Sequence, residues 1–145
     1  MIALRPACAA DVEALAGLCA QTIAKPWSGR AFEAEIAAGA FLPTAWEGDR
    51  LVGFAALRAE DDLGYLSLLA VDPDYRRRGI ASALMSAAED WCRRQGLTRV
   101  LLDVRASNEG ARSFYFTQNY VCIARRPAFY DFPREDGLTM QKELS

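Results

Sequence analysis

Between the apolar run Leu66-Ser67-Leu68-Leu69-Ala70-Val71 and the amphipathic segment 80–95, the chain carries Asp72-Pro73-Asp74-Tyr75-Arg76-Arg77-Arg78-Gly79. This order of residues builds an anion site. A strand that ends in a proline turn hands the chain to a helix N-terminus, where unpaired N–H groups and the positive end of the helix dipole converge. Gly79 lets the backbone approach a ligand with no Cβ in the way, and Arg76, Arg77 and Arg78 add charge. Asp103 lies within the apolar stretch 100–104, where burial disfavours the charged carboxylate and raises its pKa toward that of a useful base. Paired with Arg105 or a backbone N–H, the same residue would be an ordinary strand-end aspartate. Tyr115, beside Phe114 and Phe116, is either a hydroxyl for acid–base work or an aromatic core residue. The chain has no histidine, which excludes Ser-His and Cys-His nucleophiles and leaves carboxylate, tyrosine, backbone or water to carry any catalysis.

Hydrophobic spacing supplies the elements that must position these groups. A short strand at 2–5 precedes a helix with Val12, Leu15, Leu18 and Cys19 at helical spacing, for which Asp11 is a plausible cap. Pro26-Trp27-Ser28 breaks that pattern, and Ser28 caps a second helix through about 38, closed by Gly39. Segments 41–47, 51–58 and 65–71 read as antiparallel strands, the first two joined across Gly48-Asp49. A long helix follows Gly79 and ends at Gly96, with Ala81, Leu84, Met85, Ala88 and Cys92 on one face. Segment 100–104 is a strand apolar enough to be central, Ser107 or Asn108 caps a shorter helix, and 121–125 and 138–142 are the final strands. The fold class is α/β, in the α+β sense, with a sheet partly antiparallel and partly crossed over by helices.

A chain of 145 residues with 52% hydrophobic composition suits a single domain spanning 1–145. The N-terminal stretch lacks a signal peptide's apolar core and no run approaches the ~20 residues of a membrane span, so a cytoplasmic protein without membrane contact is expected. A net charge of −2 gives no reason to expect nucleic-acid binding. Four widely spaced cysteines suggest neither a metal site nor a disulfide framework.

With Arg76-x-x-Gly79-x-Ala81 opening a helix after Leu69-Ala70-Val71, the chain resembles the GNAT superfamily of acyl-CoA-dependent N-acetyltransferases over essentially its full length. The resemblance narrows at Pro26-Trp27-Ser28, at Ala70-Val71-Asp72-Pro73-Asp74-Tyr75, and at Asp103-Val104-Arg105-Ala106-Ser107-Asn108 followed by Tyr115. With Arg125-Arg126 and Phe129-Tyr130, these are similar to the RimI-type ribosomal-protein-alanine N-terminal acetyltransferases. The resemblance implies a mixed, mostly antiparallel sheet splayed at a cofactor slot and flanked by helices, with acetyl-CoA as cosubstrate and no metal. It assigns the CoA pyrophosphate to backbone N–H groups of Arg77, Arg78, Gly79, Ile80, Ala81 and Ser82, helped by the charge of Arg76 and its neighbours. It assigns the amide-rich pantetheine arm to the backbone of Leu69, Ala70 and Val71, as an added strand.

Asp103 stands where the RimI-type family carries a glutamate as proton acceptor. One methylene shorter, it holds its oxygens roughly 1.5 Å nearer the backbone, which favours a bridging water. Tyr115 is the family's proton donor to the departing thiolate, and Asn108 caps its helix and touches the cofactor. Direct attack by the amine is implied, since no cysteine sits beside an identifiable base. Trp27, Phe129 and Tyr130 are candidates for the acceptor groove, Tyr130 because a Pro-bounded loop is exposed, and Trp27 equally a candidate for the core. Glu135 and Asp136 could receive a cationic peptide. Asn119-Tyr120 departs from the family's Gly-Phe, but asparagine tolerates the left-handed turn required there. The implied partner is a protein N-terminus, such as an N-terminal alanine of a ribosomal protein, met by a monomer. A small amine or lysine side chain as acceptor, or a non-catalytic acyl-CoA sensor, are the alternatives.

Overall fold

Strand alternation and helical spacing resolve into seven strands and four helices in the computed structural model, which describes residues 1–145. The strands are β1 (Ile2–Pro6), β2 (Pro43–Glu47), β3 (Arg50–Glu60), β4 (Leu63–Val71), β5 (Arg99–Arg105), β6 (Val121–Tyr130) and β7 (Glu135–Glu143). The helices are α1 (Val12–Thr22), α2 (Gly29–Ala37), α3 (Ile80–Arg94) and α4 (Glu109–Thr117). One sheet runs β1-β2-β3-β4-β5-β7-β6, antiparallel at every pairing except β4 with β5. That parallel pair is crossed over by α3, as a parallel connection requires. No helix is long and apolar enough to cross a membrane.

The parallel pairing is brief. Leu63, Gly64 and Tyr65 face Arg99, Val100 and Leu101, after which the two strands separate. The cause lies one strand away: β3 pairs Leu57 with Leu66 but Ala56 with Leu68, so Ser67 is an extra residue that bends β4 just beyond its last bond to β5. From there β4 stays with β3 and β5 stays with β7, leaving a wedge between them.

Each face of the sheet has its own core. Leu84, Met85 and Ala88 of α3 and Tyr115 of α4 pack with Val100, Leu102 and Val104 of β5 on one face. On the other, Leu15, Leu18 and Cys19 of α1 and Phe32 of α2 pack with Phe54, Ala56 and Ala70. Gly53 lets α3 settle onto β3, since a Cβ there would meet Ile80 Cγ2 at 3.0 Å and the Ala70 carbonyl at 3.1 Å. The helix ends follow the capping residues: Ser28 Oγ accepts from Ala31 N and Asn108 Oδ1 from Ala111 N. Asn119 takes the left-handed turn after α4, with φ 72°.

Three expectations need correction. Asp11 does not cap α1; its carboxylate accepts from Cys8 N at 2.8 Å and pairs with Arg5, closing the short 3-10 turn before the helix. Phe41 forms only an isolated bridge to Leu57, and the strand begins at Pro43. Of the two candidate caps of α4, Asn108 fills the role as expected, since Ser107 gives its side chain to Glu135. The segment 127–133, expected as a loop, is largely the end of β6. Pro127 is accommodated because β6 is an edge strand that bulges there, with the register passing from Arg126–Gly137 to Tyr130–Glu135.

Candidate active site

The wedge opens onto a cleft of about 650 Å³. One wall is the free edge of β4. The N–H of Asp72 bonds the Val52 carbonyl at 2.8 Å, so alternation turns Ala70 toward β3 and directs the N–H and C=O of Leu69 and Val71 into the opening. At the end of that edge, none of the backbone N–H groups of residues 76–82 meets a protein acceptor; the next, Ala83 N, bonds the Gly79 carbonyl at 3.0 Å. Arg77 and Gly79 both have positive φ, 64° and 76°, and such turns gather successive N–H groups into an anion-binding concavity. It lies at the N-terminus of a helix running from Ile80 to Arg94, whose dipole adds to its positive potential.

Leu69, Ala70, Val71, Arg76, Arg77, Gly79, Ile80, Ala81, Ser82, Asn108 and Tyr115 all line this cleft. The side chain of Arg78 is directed elsewhere. Its guanidinium stacks on the Tyr75 ring at 4.6 Å and lies 4.0 Å from Glu47, so only its backbone belongs to the anion turn. Thr22, Ile23, Tyr75, Gly110, Ala111 and Phe114 complete the lining and were not anticipated. The first two come from the end of α1, brought to the cleft by a packing that no local pattern signals. Asn108 spends its carbonyl on the cap and keeps its amide free for the cleft. Ser82 Oγ accepts from Gln118 Nε2 at 3.1 Å, tying α3 to the residue after α4.

Of the five tyrosines, Tyr65, Tyr75 and Tyr120 donate their hydroxyls to Asp103, Glu47 and Glu89. Tyr115 and Tyr130 have no protein partner. Tyr115 is 8% exposed, and that burial pushes its pKa above the ordinary value, so the hydroxyl keeps its proton.

Asp103 projects from the opposite face of β5 to Val100, Leu102 and Val104. Its carboxylate is 11% exposed, with Oδ2 accepting from Tyr65 at 2.5 Å and Oδ1 from Thr139 Oγ1 at 2.6 Å. Thr139 is its cross-strand partner on β7, and Arg126, 3.8 Å from Oδ1, donates to the same threonine. A carboxylate has about four lone-pair sites, so each oxygen keeps one for a water or an amine. Burial and hydrogen bonding to Asp103 hold Tyr65 well above its ordinary pKa, which keeps it a donor. The strand-end pairing with Arg105 is not formed, because Arg105 is taken by Glu135. Tyr65, Thr139 and Arg126 were missed as a group: they lie on three other strands and meet Asp103 only through sheet register.

A bent central strand with a free edge thus leads into an anion turn, with Tyr115 lining the cleft and Asp103 on the opposite face of the sheet. The model of the acetyltransferase (GNAT) family matches residues 12–119. The chain belongs to that family. It is 29% identical over 122 residues to the ribosomal protein bS18-alanine N-acetyltransferase of Escherichia coli strain K12, covering 83% of this chain and 82% of the relative. The crystal structure of the ribosomal-protein-S18-alanine N-acetyltransferase from Escherichia coli superposes with a TM-score of 0.91 at 26% identity, covering 100% of this chain and 95% of that one. Arabidopsis thaliana NAA60, solved with a bisubstrate analogue, shares the fold with a TM-score of 0.89 at 22% identity, over 100% of this chain and 99% of its own.

In this acetyltransferase the face bearing Asp103 is bordered by two connections. The α1–α2 loop and the β6–β7 tip meet where Lys25 Nζ lies 5.5 Å from the Phe132 ring centre. Tyr130 is half-buried beneath the tip, and Phe129 packs edge-on against it with 5.0 Å between centroids. Burial and the nearby Asp103 carboxylate raise the Tyr130 pKa, so its hydroxyl keeps its proton. Trp27 packs on Phe32 at 5.3 Å and joins the smaller core, with part of its ring exposed. Glu135 and Asp136 are not free acidic groups. Glu135 is held by Ser107 and Arg105, and Asp136 by Ala128 N and Arg125, which lowers both pKa values and neutralises the charge a cationic peptide would need.

Proposed function

We propose that this acetyltransferase moves the acetyl group of acetyl-CoA onto the α-amine of a protein N-terminus, an N-terminal alanine such as that of a ribosomal protein being the favoured acceptor. The observation that carries the reading is the wedge itself. Unpaired N–H groups of residues 76–82 lie at one end, suited to a pyrophosphate, and the outward edge of Leu69 and Val71 suits the amides of a pantetheine arm. Tyr115 lines the wedge from the side of α4, and Asp103 faces the other side of the sheet.

In the proposed reaction the amine nitrogen attacks the thioester carbonyl carbon, the C–N bond forms and the C–S bond breaks. Asp103, oriented by Tyr65 and Thr139, receives the amine proton through a water, and Tyr115 gives its proton to the departing thiolate. An amine attacks only when neutral. An α-amine of pKa ~8 is on the order of 10% neutral near pH 7, whereas a lysine of pKa ~10.4 is about a thousandth neutral, so a carboxylate base suits the former. The similarity to the Escherichia coli alanine N-acetyltransferase supports alanine as the first acceptor to test.

Free-thiol release from acetyl-CoA, followed with an Ala-Arg peptide, a polyamine and a peptide with only an internal lysine, tests the proposal. Fastest release with the Ala-Arg peptide is expected; fastest release with the polyamine or lysine peptide overturns the acceptor, and no release with any overturns the enzyme reading in favour of a sensor. At saturating acetyl-CoA, Asp103→Asn and Tyr115→Phe are each expected to lower turnover about 10²-fold or more. Near-wild-type turnover of both contradicts their assignment.

A further inference from the structure

Arg105 is the last residue of β5 and, two positions beyond Asp103, projects from the same face of the sheet. Its guanidinium spans the whole β6–β7 tip. Nη2 donates to the Asp131 carbonyl at 2.9 Å, while Nη1 donates to the Pro133 carbonyl at 2.8 Å and to Glu135 Oε1 at 3.1 Å. The plane of the group lies over the Tyr130 ring, 4.6 Å from its centre. No other hydrogen bond ties Asp131, Phe132, Pro133 or Arg134 to the protein; the one further anchor is Lys25 on the exposed Phe132 ring. The far side of the network reaches the catalytic helix, because Glu135 also accepts from the N–H and hydroxyl of Ser107, immediately before the α4 cap Asn108.

We propose that Arg105 is the positioning residue of the acceptor groove: it holds the β6–β7 tip and the Tyr130 ring in register with Asp103 and with the start of α4, without touching either substrate. This rests on the reading of Tyr130 as an acceptor contact. Only a planar fork with several fixed donors can satisfy two carbonyls and a carboxylate while stacking on a ring; a lysine reaches one of them at a time. Release of the tip leaves the anion turn and the β4 edge untouched, so the effect falls on the acceptor and not on acetyl-CoA.

The test compares full-length Arg105→Gln and Arg105→Lys with wild type and with Arg93→Gln, a charge-removal control on the exposed end of α3. Steady-state rates use whichever acceptor wild type acetylates fastest, so failure of the N-terminal reading shows in that choice and not in the comparison. Expected for Arg105→Gln is a rise of about tenfold in acceptor KM, with a smaller rise for Arg105→Lys, while acetyl-CoA KM and kcat stay within about twofold. A second readout needs no activity: trypsin cleavage after Arg134, followed by intact mass, should quicken several-fold in both Arg105 variants and not in Arg93→Gln. Unchanged cleavage overturns the tether. Quicker cleavage with an unchanged acceptor KM, or an equal rise in acetyl-CoA KM, overturns the positioning role.

Discussion

Replacing Gly79 with alanine separates a cost borne by the protein alone from one borne by its complex with acetyl-CoA. Gly79 is the cap of α3 at φ 76°, a conformation that costs an L-residue ~1–2 kcal/mol. No protein atom lies within 4 Å of the Cβ that alanine would add, so no clash is added to that strain. At roughly 2–4 °C per kcal/mol for a chain of this size, the free protein should melt about 2–8 °C lower. The same Cβ stands where an anion must approach the N–H groups of residues 76–82. Loss of one charge-assisted hydrogen bond, worth ~1.5–3 kcal/mol, weakens acetyl-CoA binding about 10- to 100-fold. Arg78→Gln, whose side chain leans on Tyr75 and Glu47 and not into the cleft, should change affinity by no more than about threefold. Calorimetric titration with acetyl-CoA and thermal melts of the two variants give all four quantities. Equal affinity losses, or a larger loss for Arg78→Gln, would refute the claim that backbone, not arginine charge, holds the anion.

Other consequences are as direct. The Arg5 guanidinium holds the Asp11 carboxyl down from 3.8 to about 2, a stabilisation complete above pH ~4 and lost as the pH falls through the folded value. Asp11→Asn should therefore melt below wild type at pH 7, with the gap closing between pH ~4 and ~2; a constant gap speaks against the ion pair. A Cβ at Gly64 would overlap Cys92 Sγ, so Gly64→Ala should destabilise by ~1–3 kcal/mol, and Gly64→Ala with Cys92→Ala should be more stable than the sum of the two; simple additivity in urea melts contradicts the contact. Asn119→Gly should be neutral or stabilising and Asn119→Val should cost ~1–2 kcal/mol, because φ is 72° there. Since burial keeps Tyr115 protonated, kcat/KM should climb as the acceptor amine deprotonates near pH ~8 and hold a plateau to pH ~10; a falling limb below pH ~9 that Tyr115→Phe abolishes contradicts the raised value.

The anion turn was legible because every part of it is local: an apolar strand, a proline turn, a glycine and an amphipathic helix in succession. The caps Ser28 and Asn108 and the left-handed Asn119 were legible for the same reason. The surroundings of Asp103 were not. Tyr65 reaches it across the one parallel pairing and Thr139 across β5–β7, and no spacing in the chain encodes those registers. Nor did charge reading foresee that Arg105 and Arg125 would already hold Glu135 and Asp136. The β6–β7 hairpin was read too short because Pro127 and the acidic pair look like loop residues; a bulge on an edge strand absorbs the proline.

Acetyl transfer to a chain-terminal α-amine is tested most directly by locating the acetyl group. The protein is incubated with acetyl-CoA and an alanine-initiated peptide containing an internal lysine, beside the same peptide with its α-amine blocked, and the products are fragmented in a mass spectrometer. Transfer to the α-amine predicts acetyl on the α-nitrogen of the open peptide and none on the blocked one. Acetyl on the lysine of both would contradict it.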